Sequence, residues 1–175
     1  MVRRGTLLFY ERSLSDVLSE LDVRMKNEID SISKNLLLTE GVDALCDRLE
    51  EKYRVNVPRL IDEETTVEQG DAQIDVSQDP LRSVQDRSRP AYITGTGVTF
   101  YVPFKGDHQL FTCKATTWGS VFPRAEISGN ELILRYEATT QDHEAARSFF
   151  QHNLSEIRRW LGWISADVAH YNASL

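Results

Sequence analysis

Four histidines are the side chains here best suited to proton transfer or metal ligation near neutral pH, because imidazole changes charge there without help from its surroundings. His143 and His152 stand nine positions apart in one helical stretch, more than two turns from each other, so they cannot share an ion. His170 falls opposite the apolar seam of the same stretch, and His108 follows Gly106-Asp107, where an Asp-His neighbour reads as part of a turn. Cys46 and Cys113 belong to no CxxC or Cys/His array, so neither a zinc site nor a disulfide framework is indicated. Gly95 and Gly97 of "ITGTGVTF" lack the following helix N-terminus that a phosphate cradle requires, and read as a β-turn entering a strand. "KGD" at Lys105 to Asp107 likewise reads as a hairpin turn. No Ser or Cys sits in a nucleophile elbow, and the carboxylates between positions 62 and 75 lack the Asp-x-Asp-x-Asp-Gly order of a calcium loop.

The expectation is therefore a chain that is not an enzyme and carries no cofactor or metal. One alternative remains from the residue types: a self-contained small-ligand-binding domain or enzyme. Its pocket would lie between the sheet and the 105–123 loop, lined by Tyr101, His108, Trp118 and Arg124.

The elements that would position these residues follow from periodicity. A first helix starts near Ser13 or Ser15, either of which can cap it, and runs to about Leu38. Leu14, Leu18, Leu21, Met25, Ile32 and Leu36 form its apolar stripe, broken by Glu28. Thr39 is placed to cap a second helix, "EGVDALCDRLEEKYR", which makes a hairpin with the first. "VNVPRLID" and "AQIDVS" read as short extended pieces separated by an acidic loop, and the polar, Pro-containing 78–90 segment reads as surface loop. "GVTFYVPF" is the clearest strand, with Val98, Phe100 and Val102 on one face, and "RAEISGNELILRYEATT" reads as a hairpin turning at Ser128-Gly129-Asn130. Segregated blocks of this kind predict α+β: an N-terminal helical hairpin, a central mainly antiparallel sheet and a long C-terminal amphipathic helix, all in a single domain over 1–175.

That last helix begins at Thr139 or Thr140. Phe150, Leu154, Ile157, Leu161, Ile164, Val168, Tyr171 and Leu175 recur along it at alternating steps of four and three, the spacing of a seam on one side. Trp160 flanks the seam, whereas Trp163 faces away from it in line with Phe149, giving the helix a second apolar side. From Gln141 onward it would reach roughly 50 Å, against a domain diameter of about 40 Å. With no Gly or Pro to stop it, it is expected to overhang its own domain. Its seam, together with Trp160 and Trp163, is then the surface for a second copy in a homodimer or for a following domain.

Charge limits the partners. The chain has 27 acidic and 20 basic residues, a net −7, and between positions 62 and 86 Arg82 is the single cation among eight carboxylates. This balance opposes tight docking on phosphate backbones, where affinity comes from Lys and Arg. "MVRRGTLLFYERSL" places two arginines before an apolar patch, but Glu11 and Arg12 interrupt the patch too early for a secretory or membrane segment, which points to the cytoplasm.

The runs "VTFYVPFKGDHQLF" and "ELILRYEATT" and the closing helix ending in "HYNASL" resemble a family of uncharacterised bacterial proteins in which such a region precedes a C-terminal restriction-endonuclease-like domain of the PD-(D/E)xK type. The resemblance spans most of the chain and carries over no catalytic residue, since the family's Asp, Glu and Lys belong to the C-terminal half. It implies a non-catalytic N-terminal binding, assembly or regulatory module of a nuclease, in a setting of defence against phage, whose natural chain continues past Leu175. We expect the purified chain neither to shift duplex DNA at physiological salt nor to nick supercoiled plasmid with magnesium present. Cutting that persists in a clean preparation overturns this reading.

Overall fold

The computed structural model describes residues 5–80, 82–83 and 85–175; the arginine pair at positions 3 and 4, and Leu81 and Val84 of the 78–90 loop, lie outside them. In chain order the elements are β1 (Thr6–Leu7), β2 (Arg12–Ser13), α1 (Leu14–Asp30), α2 (Lys34–Glu40), α3 (Val42–Tyr53), β3 (Arg59–Leu60) and β4 (Thr66–Asp75). They continue with β5 (Tyr92–Lys105), β6 (Cys113–Lys114), β7 (Arg124–Ser128), β8 (Glu131–Ala138) and α4 (His143–Asn172), with 3-10 turns at Asp62–Glu64 and His108–Thr112. The fold is α+β as the pattern predicts: helices, an antiparallel sheet curled into a half-barrel, and a long closing helix. Residues cluster into two compact units, one of residues 5–8, Arg59–Lys105 and Val121–Arg158, the other of Phe9–Pro58, Gly106–Ser120 and Arg159–Leu175.

In the first unit the sheet runs β1-β7-β8-β5-β3, with β4 also paired to β5. Val98, Phe100, Val102 and Phe104 alternate into the core along β5, as expected of a strand with one face covered. The first half of α4 covers that face: Phe150 stacks on Phe100 with ring centroids 4.5 Å apart, and Phe149 lies 5.5 Å from Tyr136 of β8. The hairpin turn at Gly129 is where the sequence placed it, between β7 and β8.

Two readings change here. Gly95 and Gly97 do not form a turn before a strand; they lie inside β5. A Cβ on Gly95 would come 2.5 Å from the carbonyl oxygen of Ala138 and meet the Ile74 side chain, and one on Gly97 would come 3.1 Å from the Ala72 Cβ. The glycines let neighbouring backbone approach closely where the sheet curls. The expected acidic loop is also strand: β4 pairs with β5 over ten consecutive residues, from Thr66 opposite Tyr101 to Asp75 opposite Tyr92.

In the second unit the single long N-terminal helix is two. Ser13 caps α1, accepting from the Asp16 amide, but the helix stops at Asp30, where the Ser31 hydroxyl bonds back to the Glu28 carbonyl at 2.7 Å. Ser33 then caps α2 by accepting from the Leu36 amide. Serines compete for backbone groups in this way, which is why the pair Ser31 and Ser33 breaks a helix that hydrophobic spacing alone would continue. Thr39 is inside α2 and bonds the Asn35 carbonyl; Gly41 precedes α3 instead. At α4 the cap is Asp142, whose carboxylate accepts from the Ala145 amide at 2.9 Å, rather than Thr139 or Thr140.

Glu28, the residue that interrupts the apolar stripe of α1, clasps α1 to α3. Its carboxylate accepts from Lys52 Nζ at 2.7 and 2.5 Å and from the Tyr53 hydroxyl at 2.6 Å. The Lys52 and Tyr53 hydrogen bonds hold it below the ordinary glutamate value of 4.5. A depressed carboxylate contributes stability that is complete above its unfolded value and is lost as pH falls through its folded one. The thermal midpoint of the wild type should therefore exceed that of Glu28→Gln at pH 7, with the difference shrinking progressively as pH is lowered below about 4.5, the ordinary value. A difference that stays constant down to pH 2 in melts followed by circular dichroism contradicts the clasp.

Candidate interaction surfaces

The seam of α4 is core. Leu154, Ile157, Trp160, Leu161, Ile164, Val168 and Tyr171 are all buried within this chain, and Phe150, Trp163 and Leu175 are half-buried. The expectation that the helix carries more apolar surface than its own protein covers is thus corrected. Trp160, fully buried, stacks on Phe9 with centroids 5.2 Å apart and planes 2° from parallel. Trp163, on the second apolar side, meets the edge of Trp160 at 5.2 Å, and a Cβ on Gly119 would touch its ring at 3.3 Å. The helix also closes locally. The Asn172 side chain donates to the Val55 carbonyl and accepts from its amide, both at 3.0 Å, the Tyr171 hydroxyl donates to the Tyr53 carbonyl, and Ser174 bonds the Tyr171 carbonyl through its amide and hydroxyl. The outward residues of α4, among them Arg147, Gln151, Ser155, Arg159 and Ser165, are polar and exposed.

The four residues named for a pocket divide between the units, Tyr101 and Arg124 in the first, His108 and Trp118 in the second. Each has a local engagement. The Tyr101 hydroxyl donates to Glu68 across the β4–β5 pair at 2.8 Å, and the Arg124 guanidinium donates to the Gly5 carbonyl at 3.1 Å. His108 is exposed at the start of its 3-10 turn, whose first free amide, on Gln109, is capped by the Asp107 carboxylate at 2.8 Å. Trp118 is 56% exposed with Lys114 Nζ 3.9 Å above its ring. A cleft of about 520 Å³ does exist in the first unit, at the end of β4 beside Gln78, Pro80 and Thr139. Of its two carboxylates, Asp79 pairs with Arg82, and Asp75 accepts from the Ser77 and Ala91 amides and is held below the usual aspartate range chiefly by the Ser77 backbone bond. Cys113 is buried, which pushes its thiol up, away from the thiolate form that reacts. Among the described residues no group of three or more His, Cys, Asp or Glu is placed to hold a metal ion, and no helix is long and apolar enough to cross a membrane.

A run of exposed apolar side chains lies at the tip of the second unit, while others, Tyr92 and Val121 among them, are scattered. No residue of α2 is buried; Leu38 is 85% exposed and Val42, at the start of α3, 61%. Leu37 is also exposed, as is Ile29 at the end of α1. The signal was present in "NLLLTEGV": three consecutive leucines fan over more than half a helix circumference, so one face of a packed helix cannot take all of them.

Family models, curated proteins and solved structures yield no match to this chain.

Because Trp160 fills the core, Trp160→Ala should cost about 3–5 kcal/mol of stability in denaturant titration, the range for deleting a large buried aromatic side chain. A loss under about 1 kcal/mol would return the α4 seam to the surface.

Proposed function

We propose that this chain is a non-catalytic assembly module that pairs with a second copy of itself through α2 and the adjoining ends of α1 and α3. The observation that carries this reading is that no residue of α2 is buried, with Leu38 standing at 85% in solvent beside Leu37 and Val42. Such surface has a cost in water that pairing removes. The ends of the helix suit a two-fold arrangement: Lys34 lies at its start and Glu40, which also pairs with Arg48 at 2.7 Å, at its end, so antiparallel α2 helices bring opposite charges together while the leucines meet near the axis. The surface falls on the N-terminal helices and not on α4, whose seam is occupied within the chain.

The larger role in this reading is to hold and pair a restriction-endonuclease-like domain of a defence protein, the module itself performing no chemistry. The resemblance of the "VTFYVPFKGDHQLF" and "ELILRYEATT" runs supports that part, and the exposed tip supports the pairing.

Sedimentation over a concentration series should show a reversible dimer. A two-fold interface removes two copies of each side chain, so Leu38→Glu should raise the dissociation constant roughly 100-fold, taking about 1.5 kcal/mol for each buried leucine. A strictly monomeric wild type at millimolar concentration, or a dimer indifferent to Leu38→Glu, overturns the proposal.

A further inference from the structure

β4 is an edge strand of the sheet, exposed over its first six residues. It pairs with β5 through ten unbroken positions, and among the described residues no strand lies on its other side. An edge strand turns half of its N–H and C=O groups outward, ready to bond another extended chain. Proteins usually blunt such an edge with a proline, a lysine, a bulge or a covering element. The segment "TVEQGDAQID" contains no proline or lysine, its register shows no bulge, and every residue from Thr66 to Asp71 is exposed, Val67 at 56%.

The charges of the strand decide what can use this edge. Glu68, Asp71 and Asp75 are its ionisable side chains, and exposed Glu63 and Glu64 lie just before it. Pairing β4 with β4 of a second copy would bring three carboxylates from each strand into one ribbon with no cation on either, and facing like charges are destabilising. Self-association is thereby disfavoured, whereas a strand bearing Lys or Arg gains attraction as well as backbone hydrogen bonds. Register adds detail. Val67 and Asp71 lie four residues apart on one face, opposite Phe100 and Thr96 of β5, and Glu68 lies on the other face, opposite Thr99.

We infer that β4 is a docking edge for an extended basic segment of another protein, which adds to the sheet as a further strand. Its backbone pairs with β4, an apolar or β-branched residue packs by Val67, and its cations face Asp71 on that side and Glu68 on the other. This mode of recognition takes affinity from main-chain bonds and selectivity from alternate side chains. It rests on the sheet edge alone and is independent of pairing through α2.

The test uses the full chain and a fluorescein-labelled ten-residue peptide alternating lysine with valine or threonine. Anisotropy should show saturable binding, weakened at least ten-fold by Glu68→Lys with Asp71→Lys. N-methylation of alternate peptide amides, which leaves the charge intact and removes half of the backbone donors, should weaken it at least ten-fold as well. In the wild type, bound peptide should slow amide exchange over residues 66–75. Equal affinity for the N-methylated peptide marks a contact of charge only and overturns the inference. So does absence of saturable binding, or protection of residues 66–75 that rises with protein concentration and no peptide, which marks self-pairing.

Discussion

The stack of Phe9 on Trp160 is the contact on which the second unit depends. Phe9 sits at φ 59°, a left-handed conformation that costs a side chain with a Cβ about 1–2 kcal/mol. Surrounding structure must hold it there. The Phe9 amide donates to the Phe111 carbonyl at 2.6 Å, its ring lies 6.0 Å from that of Phe111, and Trp160 covers its face. One residue thus ties the segment leading into α1, the 3-10 turn at His108–Thr112 and the second half of α4. Trp160 is fully buried as a result, and a helix whose largest side chain is spent in this way has its best anchor committed inside the protein.

How far the sequence could be read follows from what periodicity measures. The three-four spacing in α4 correctly identified a face that is removed from water, and the alternation in β5 did the same for the sheet. Periodicity reports that a face is covered without reporting by what, so it points equally to a partner or to the same chain, where Phe100 meets Phe150, Phe9 meets Trp160 and Tyr53 meets Tyr171. β4 escaped notice for the opposite reason. Along Thr66–Asp71 both sides of this edge strand are exposed, so no apolar alternation marks it, and its carboxylates imitate a loop. Gly95 and Gly97 were legible as glycines but not as points of close approach, since the Ala138 carbonyl that a Cβ would strike lies far along the chain. Glu28 could be seen as a break in the stripe, and only the fold reveals Tyr53 and Lys52 as its reason.

The candidate surfaces differ in chemistry because different residues were left over by folding. Ser31 and Ser33 end α1 early and start α2 as a separate short helix, which half-buries Leu36 and leaves Leu37 and Leu38 exposed. The sheet, by contrast, ends in a strand whose carboxylates keep water and discourage its own kind. The run of exposed leucines therefore belongs to the helical unit and the open backbone edge to the sheet unit. Neither involves the histidines or cysteines that first invite a catalytic reading.

The path of the chain between the two units bears on how the protein is made. α1, α2 and α3 emerge from the ribosome long before Trp160, Ile164, Val168 and Tyr171, which belong to the same unit. Domains tend to fold in the order of synthesis, and this unit cannot complete its core until the second half of α4 has been made. Until then the apolar stripes of nascent α1 and α3 stay in solvent, the kind of transient exposure that chaperones exist to shield.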